Sequence, residues 1–266
     1  MACTRTVHIQ KLIKNFCSKY FCGRMHFAKV PLKIKENRAM KKLMLTSMVV
    51  VLSAVCSFAE KKEDVTITAD GAALKGTFYS AEKVGPGVLL LNQCNGNRQA
   101  YEHLGGMLSM AGYNALAFDF RQGDKMAGDV DAALKFLTSQ TTVNATALVV
   151  VAADCAVTHG VNAARRNSNI KGLVLLSGAA DNDSETYIKS SKLPVLGIAS
   201  EEDAPAAAAI KKAVEASPNT DSQAEIVKGA GHGTAMLEKQ PDLEADIVIF
   251  LRSNVPIGGY GLKPSK

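Results

Sequence analysis

His232 lies between two glycines in the run GAGHGTAML, residues 229–237. Glycine on both sides lets the backbone turn sharply and present the ring. An imidazole there can take a proton near neutral pH and give it back. Upstream, Asp203 closes the acidic run Glu201-Glu202-Asp203. A carboxylate in that place fixes the imidazole tautomer and stabilises its charged form. Glu202 takes the role instead if the preceding strand ends one residue earlier. Further upstream, LVVVAADCAVTHG (residues 148–160) sets Asp154 and Cys155 side by side where an apolar run gives way to a helical one. Nucleophile candidate, acid and histidine, in that chain order, describe covalent hydrolysis.

These residues need rigid elements to bring them together. Val88–Leu91 is a short, continuous apolar run, and Asn114–Phe118, Ala147–Val151, Gly172–Leu176, Leu196–Ala199 and Ala224–Val227 read as further strands. Such runs mark strands buried on both faces of a parallel sheet. Between them, Arg98–Ala111, Asp129–Leu137, Ala156–Arg166, Ala204–Glu215 and Leu243–Leu251 carry helical spacing. Val65–Thr68 and Ala72–Tyr79 flank Asp70-Gly71 and read as an antiparallel hairpin at the sheet edge. Alternating strands and helices imply an α/β fold with a mostly parallel sheet covered on both faces. The segment between Leu176 and Pro194 is short and leaves little room for a lid. All the candidate residues follow strand ends, where open α/β sheets place their sites.

The blocks PGVLLLNQCNGNRQAYEHL (86–104), AGYNALAFDFRQGD (111–124), the Asp154-Cys155 turn and GAGHGTAML (229–237) together resemble the α/β-hydrolase superfamily. More narrowly, they resemble its dienelactone-hydrolase-like group over about residues 65–251. The resemblance implies an α/β-hydrolase fold and cleavage of a small ester, lactone or thioester through an acyl-enzyme. That group uses a cysteine nucleophile, which implies the triad Cys155, Asp203 and His232. Asp154 is the alternative nucleophile, and sterics favour it. The strained strand-to-helix turn of such enzymes needs small residues two before and two after the nucleophile. Around Asp154 these are Ala152 and Ala156; around Cys155 they are Ala153 and the bulkier Val157. Asn92-Gln93 stands where the family commonly carries His-Gly. The oxyanion donors it implies are backbone N–H groups of Gln93 or Cys94 together with Ala156. The same fold brings Cys94 and Cys155 onto facing loops, where they either form a disulfide or stay free. A relative that keeps the sheet but not the catalysis, acting as a binding or redox-sensitive protein, is the alternative. Asp119 and Arg121 resemble a fold-stabilising turn.

Composition narrows the remaining classes. The 266-residue chain carries a formal charge of +6. Residues 1–59 hold eleven Lys/Arg and one acid, whereas the rest holds twenty Lys/Arg and twenty-four acids. The basic character belongs to the leader, and nothing points to nucleic-acid binding. Met40-Lys41-Lys42, the apolar Leu43–Val55 and Ser57-Phe58-Ala59 form a secretory signal, residues 40–59. Residues 1–39 then read as an upstream extension, 60–255 as one domain and 256–266 as a mobile tail. The expectation is an exported protein, periplasmic or secreted, with no stable membrane span after cleavage. Of six cysteines only Cys94 and Cys155 lie beyond the leader. No Gly-rich phosphate loop or metal-ligand cluster is present in the sequence, so the expected chemistry uses no metal and no organic cofactor. His159, four residues after Cys155, reads as a packed or solvated histidine.

Overall fold

The computed structural model describes residues 61–258. The expected extension, the signal segment and most of the tail lie outside the described residues. β1 (Lys61–Ala69) and β2 (Ala72–Ser80) pair antiparallel through a two-residue turn. That turn needs left-handed backbone at both positions, and Asp70 (φ 48°) with Gly71 (φ 77°) supplies it. β3 (Gly85–Leu91), β4 (Asn114–Phe118), β5 (Val143–Ala153), β6 (Ile170–Leu176), β7 (Val195–Ser200) and β8 (Gln223–Val227) complete an eight-stranded sheet ordered β1-β2-β4-β3-β5-β6-β7-β8. Every pairing from β4 to β8 is parallel. The order reverses at β3, which lies between β4 and β5. A crevice opens at the carboxyl ends of the strands at such a point.

Successive strand side chains point to opposite faces, which divides the apolar residues into two cores. Leu89, Leu91, Val150 and Ala152 face one layer, while Val88, Leu90, Val149 and Val151 face the other. The first face is covered by α2 (Met126–Ser139), α3 (Ala156–Arg166), α4 (Asn182–Ser190) and α5 (Ala204–Ala216). The second is covered by α1 (Glu102–Met110), α6 (Ala235–Lys239) and α7 (Asp242–Asn254). On α2, Val130, Ala133, Leu134 and Leu137 are all buried, as their spacing requires.

The elements depart from the sequence reading in two places. The helix expected over 98–111 begins as a 3-10 turn, Arg98–Tyr101, capped by the Asn97 side chain, before α1 starts. α4 and α6 are additional short helices; Asp181 caps α4 by accepting from Ser184 N. The turn at Asp119-Phe120-Arg121 is not held by a pair between its own ends. Asp119 accepts from the Arg98 amide (2.7 Å) and guanidinium (2.6 Å), while Arg121 pairs with the fully buried Asp129 at 2.5 Å. One pair joins the Arg98 turn to the end of β4, and the other joins Arg121 to α2.

Candidate active site

β5 ends at Ala153, and Asp154 takes the turn with φ 50°. This left-handed backbone is costly for any residue with a Cβ and persists only where its surroundings fix it. Here the Asp154 amide donates to Leu176 O (2.9 Å), and Asp154 O accepts from Val157 N (3.1 Å) as α3 begins. Gly178 passes beneath: a Cβ there would lie 2.4 Å from Asp154 O. Gly160 lets α3 press on β5, since its Cβ would come within 2.8 Å of the Ala152 Cβ. Small residues are therefore required around Asp154.

Cys155 follows at φ −60° as the N-cap of α3, not at the tip of the turn. This corrects the placement expected for Cys155: the elbow position belongs to Asp154. Cys155 is bonded to Cys94 in a disulfide with Cα atoms 5.8 Å apart. The disulfide staples the loop after β3 to the elbow after β5. A bonded sulfur is not a thiolate. With Asp154 at the elbow, the residue that follows it is Cys155, and Ala156 is already the first residue of α3.

His232 meets two carboxylates. Its Nδ1 lies 2.5 Å from Asp203 Oδ2 and its Nε2 lies 3.3 Å from Asp154 Oδ1. The hydrogen bond to Asp203 raises its pKa above the usual imidazole value; partial burial opposes this, and the charges of Asp203 and Asp154 reinforce it. For Asp203, burial pushes the carboxyl upward. The hydrogen bonds from Ser177 and His232 outweigh that and hold it below the ordinary range. Ser177, buried at the end of β6, donates to Asp203 Oδ2 at 2.6 Å.

The loop carrying His232 is shaped by its glycines and by a network sequence reasoning did not anticipate. Gly229, Gly231 and Gly233 all have positive φ, at 70°, 84° and 58°. A Cβ on Gly233 would lie 2.0 Å from Gln93 Oε1, so only glycine admits the Gln93 side chain there. That oxygen accepts from Thr234 N (2.9 Å) and Thr234 Oγ1 (3.2 Å). Ser200 Oγ accepts from Ala230 N and Gly231 N and donates to Glu202 Oε2 at 2.6 Å. Glu202 also accepts from Gly229 N at 2.8 Å. Glu202, weighed above as a substitute for Asp203, thus serves the loop backbone. Asn92 Oδ1, buried at the end of β3, has no hydrogen-bond partner among the described residues.

The sequence-expected residues separate as follows. Asp154, Asp203 and His232 converge; Cys94 and Cys155 are joined to each other; Gln93 contacts the histidine loop through its side chain. His159 lies on α3, its pKa lowered by burial and by the Arg166 charge. Ser177, Ser200 and Thr234 were missed. Ser177 and Ser200 had a readable signal, since each is a small polar residue closing an apolar strand. Among the described residues, no three His, Cys, Asp or Glu side chains are grouped to hold a metal ion, and no helix is long and apolar enough to cross a membrane.

A carboxylate on a strained turn, facing a histidine backed by a second acid, can attack an electrophilic carbon and later have its ester hydrolysed by water. No family model matches the chain. No curated protein matches it in sequence. Solved structures superpose on its fold. A dienelactone hydrolase from Anabaena variabilis superposes with a TM-score of 0.63 at 16% identity, covering 74% of this chain and 99% of the other. A Pyrococcus furiosus esterase gives 0.60 at 17%, with 74% and 92% covered. A predicted CIB-like hydrolase from Thermoplasma acidophilum gives 0.60 at 18%, with 73% and 99% covered.

Proposed function

With the α/β-hydrolase fold as the frame, we propose that the protein is a small-molecule hydrolase that works through Asp154, His232 and Asp203. The observation that carries this is the 3.3 Å separation between His232 Nε2 and Asp154 Oδ1 at the elbow. The names of the superposing structures, an esterase and a dienelactone hydrolase, support hydrolysis of an ester-type or similarly electrophilic carbon.

In this reading the Asp154 carboxylate attacks the substrate carbon: at an ester carbonyl the alkoxide or phenoxide leaves and an acyl anhydride forms on Asp154, whereas at an epoxide carbon the C–O bond opens, the ring oxygen takes the proton of the His232 imidazolium and an alkyl ester forms on Asp154. Neutral His232 then removes a proton from water, which attacks that intermediate, releases the product and restores the carboxylate. Asp203 holds the ring by Nδ1 and stabilises the imidazolium that forms. Cys155 keeps the loops in place as a disulfide partner. The ester, lactone or thioester route through Cys155 requires that disulfide to be open. The proposal includes export: the leader ending at Ala59 supports it, and a disulfide suits an oxidising compartment.

The test compares turnover of an activated aryl ester and of a small terminal epoxide by the parent, Asp154→Asn, His232→Ala and Cys155→Ala. Loss in the first two variants with retention in Cys155→Ala supports the assignment. Loss in Cys155→Ala with retention in Asp154→Asn returns the nucleophile to the cysteine. A second reading rests on the engagement of both imidazole nitrogens by carboxylates: the three groups form an ion cluster that only shapes a binding surface. Absence of turnover by the parent on every probe selects it.

A further inference from the structure

We propose that Ser177 is a positioning residue that sets the Asp203 carboxylate against His232. The inference rests on the reading of His232 and Asp203 as the working pair. Ser177 closes β6 and is fully buried. Its φ is 48°, a conformation in which glycine is the low-cost occupant. Serine occupies this costly conformation, and its hydroxyl is committed to Asp203 Oδ2 at 2.6 Å.

The geometry gives that hydroxyl a specific task. Asp203 Oδ2 is the same oxygen that meets His232 Nδ1, and Ser177 Oγ itself lies 3.3 Å from that nitrogen. One donor thus fixes the oxygen from the sheet side while the imidazole approaches from the loop side. Ser177 is anchored in turn: its amide donates to Ile198 O of β7 at 2.8 Å. β7 is the strand that leads to Ser200 and Asp203. The neighbouring Gly178 lies under the Asp154 carbonyl. The end of β6 therefore references both acids to one point of the sheet. The groups that act on Asp203 are Ser177, His232 and the Ala206 amide.

The experiment uses Ser177→Gly and Ser177→Ala in the full chain. Glycine relieves the backbone and removes the hydroxyl; alanine removes the hydroxyl and keeps the backbone demand. Three quantities are read: the thermal midpoint, the titration of the Asp203 carboxyl by carbon NMR, and kcat and KM on an activated aryl ester. The expected result is a thermal midpoint in Ser177→Gly above that of Ser177→Ala, because both lack the hydroxyl and only alanine keeps the backbone demand. Both variants should show an upward-shifted Asp203 titration and a kcat reduced about tenfold, the scale of one hydrogen bond to a charged group, with KM nearly unchanged. An Asp203 titration identical to the parent in both variants overturns the proposal. So does an active parent whose kcat neither variant lowers. A parent with no turnover but a shifted Asp203 titration in both variants removes the hydrolase reading and leaves the positioning role standing.

Discussion

His232 lies between Asp203 and Asp154, with Nδ1 2.5 Å from one carboxylate and Nε2 3.3 Å from the other. Only the imidazolium can donate from both nitrogens at once. The resting site therefore favours a charged ring between two anions. It must give up that proton before it can activate water.

The pH dependence follows. His232 is raised above its usual value by the Asp203 hydrogen bond, partial burial opposing and both carboxylate charges adding. Turnover should rise with pH through a midpoint above about 6.5, the unperturbed imidazole value. Asp154→Asn should move the His232 midpoint downward, as measured by proton NMR of the ring. Stability follows the same groups in opposite senses. The raised His232 contributes stability fully present below about 6.5 and lost as pH climbs through its folded value. The depressed Asp203 contributes stability present above its unfolded value near 3.9, lost as pH falls through its folded value. Urea midpoints across pH, compared between the parent and His232→Ala, check both limbs.

Opening the Cys94–Cys155 bond should loosen the site without dismantling the sheet. The double substitution Cys94→Ala with Cys155→Ala should cost about 2–4 kcal/mol in urea unfolding, the usual effect of one disulfide. Activity through Asp154 should persist in part. Peptide mapping of active parent protein without reductant should recover the two cysteines linked. Recovery of both as free thiols in active protein would remove the staple.

Much of this arrangement was legible in the sequence. The strands ending at Leu91, Ala153 and Ser200 are apolar runs of one sheet, and site residues follow at their carboxyl ends. Period and composition suffice to read these because both sheet faces are buried. The small residues Ala152 and Ala156 also placed Asp154 on the turn by sterics alone. Chemistry argued for Cys155; the same reading set Cys94 on the facing loop and left open the disulfide that the structure contains. The Ser177–Asp203 bond and the Gln93–Thr234 bond were not legible. They depend on side-chain direction between loops far apart in sequence, which no local pattern encodes.

Arg121 offers a test of the fold independent of the site. It pairs with Asp129, whose carboxylate is fully buried on α2 and also accepts from the Arg121 amide at 2.7 Å. Asp129→Ala should destabilise by about 2–3 kcal/mol, as expected for loss of hydrogen bonds to a charged group. Asp119→Ala should cost less, because that carboxylate keeps about a third of its surface in water. Equal urea midpoints for Asp129→Ala and the parent would show that the Arg121 turn is held by something else.

Intact mass should place the mature N-terminus at Glu60, next to the first residue of β1. A mature chain retaining Met40, or carrying lipid on Cys56, would contradict cleavage after Ala59.

The central claim is that Asp154 carries the covalent bond. His232→Gln keeps a polar side chain but removes the base that activates water, so the enzyme ester should form and accumulate. The measurement is the mass of this variant after incubation with a small terminal epoxide, followed by peptide mapping without reductant. The account predicts an adduct on the peptide containing Asp154, located on its carboxylate, with Cys94 and Cys155 still joined. An adduct on Cys155, or no adduct while the parent turns over the same probe and Asp154→Asn matches it in rate, would contradict the account.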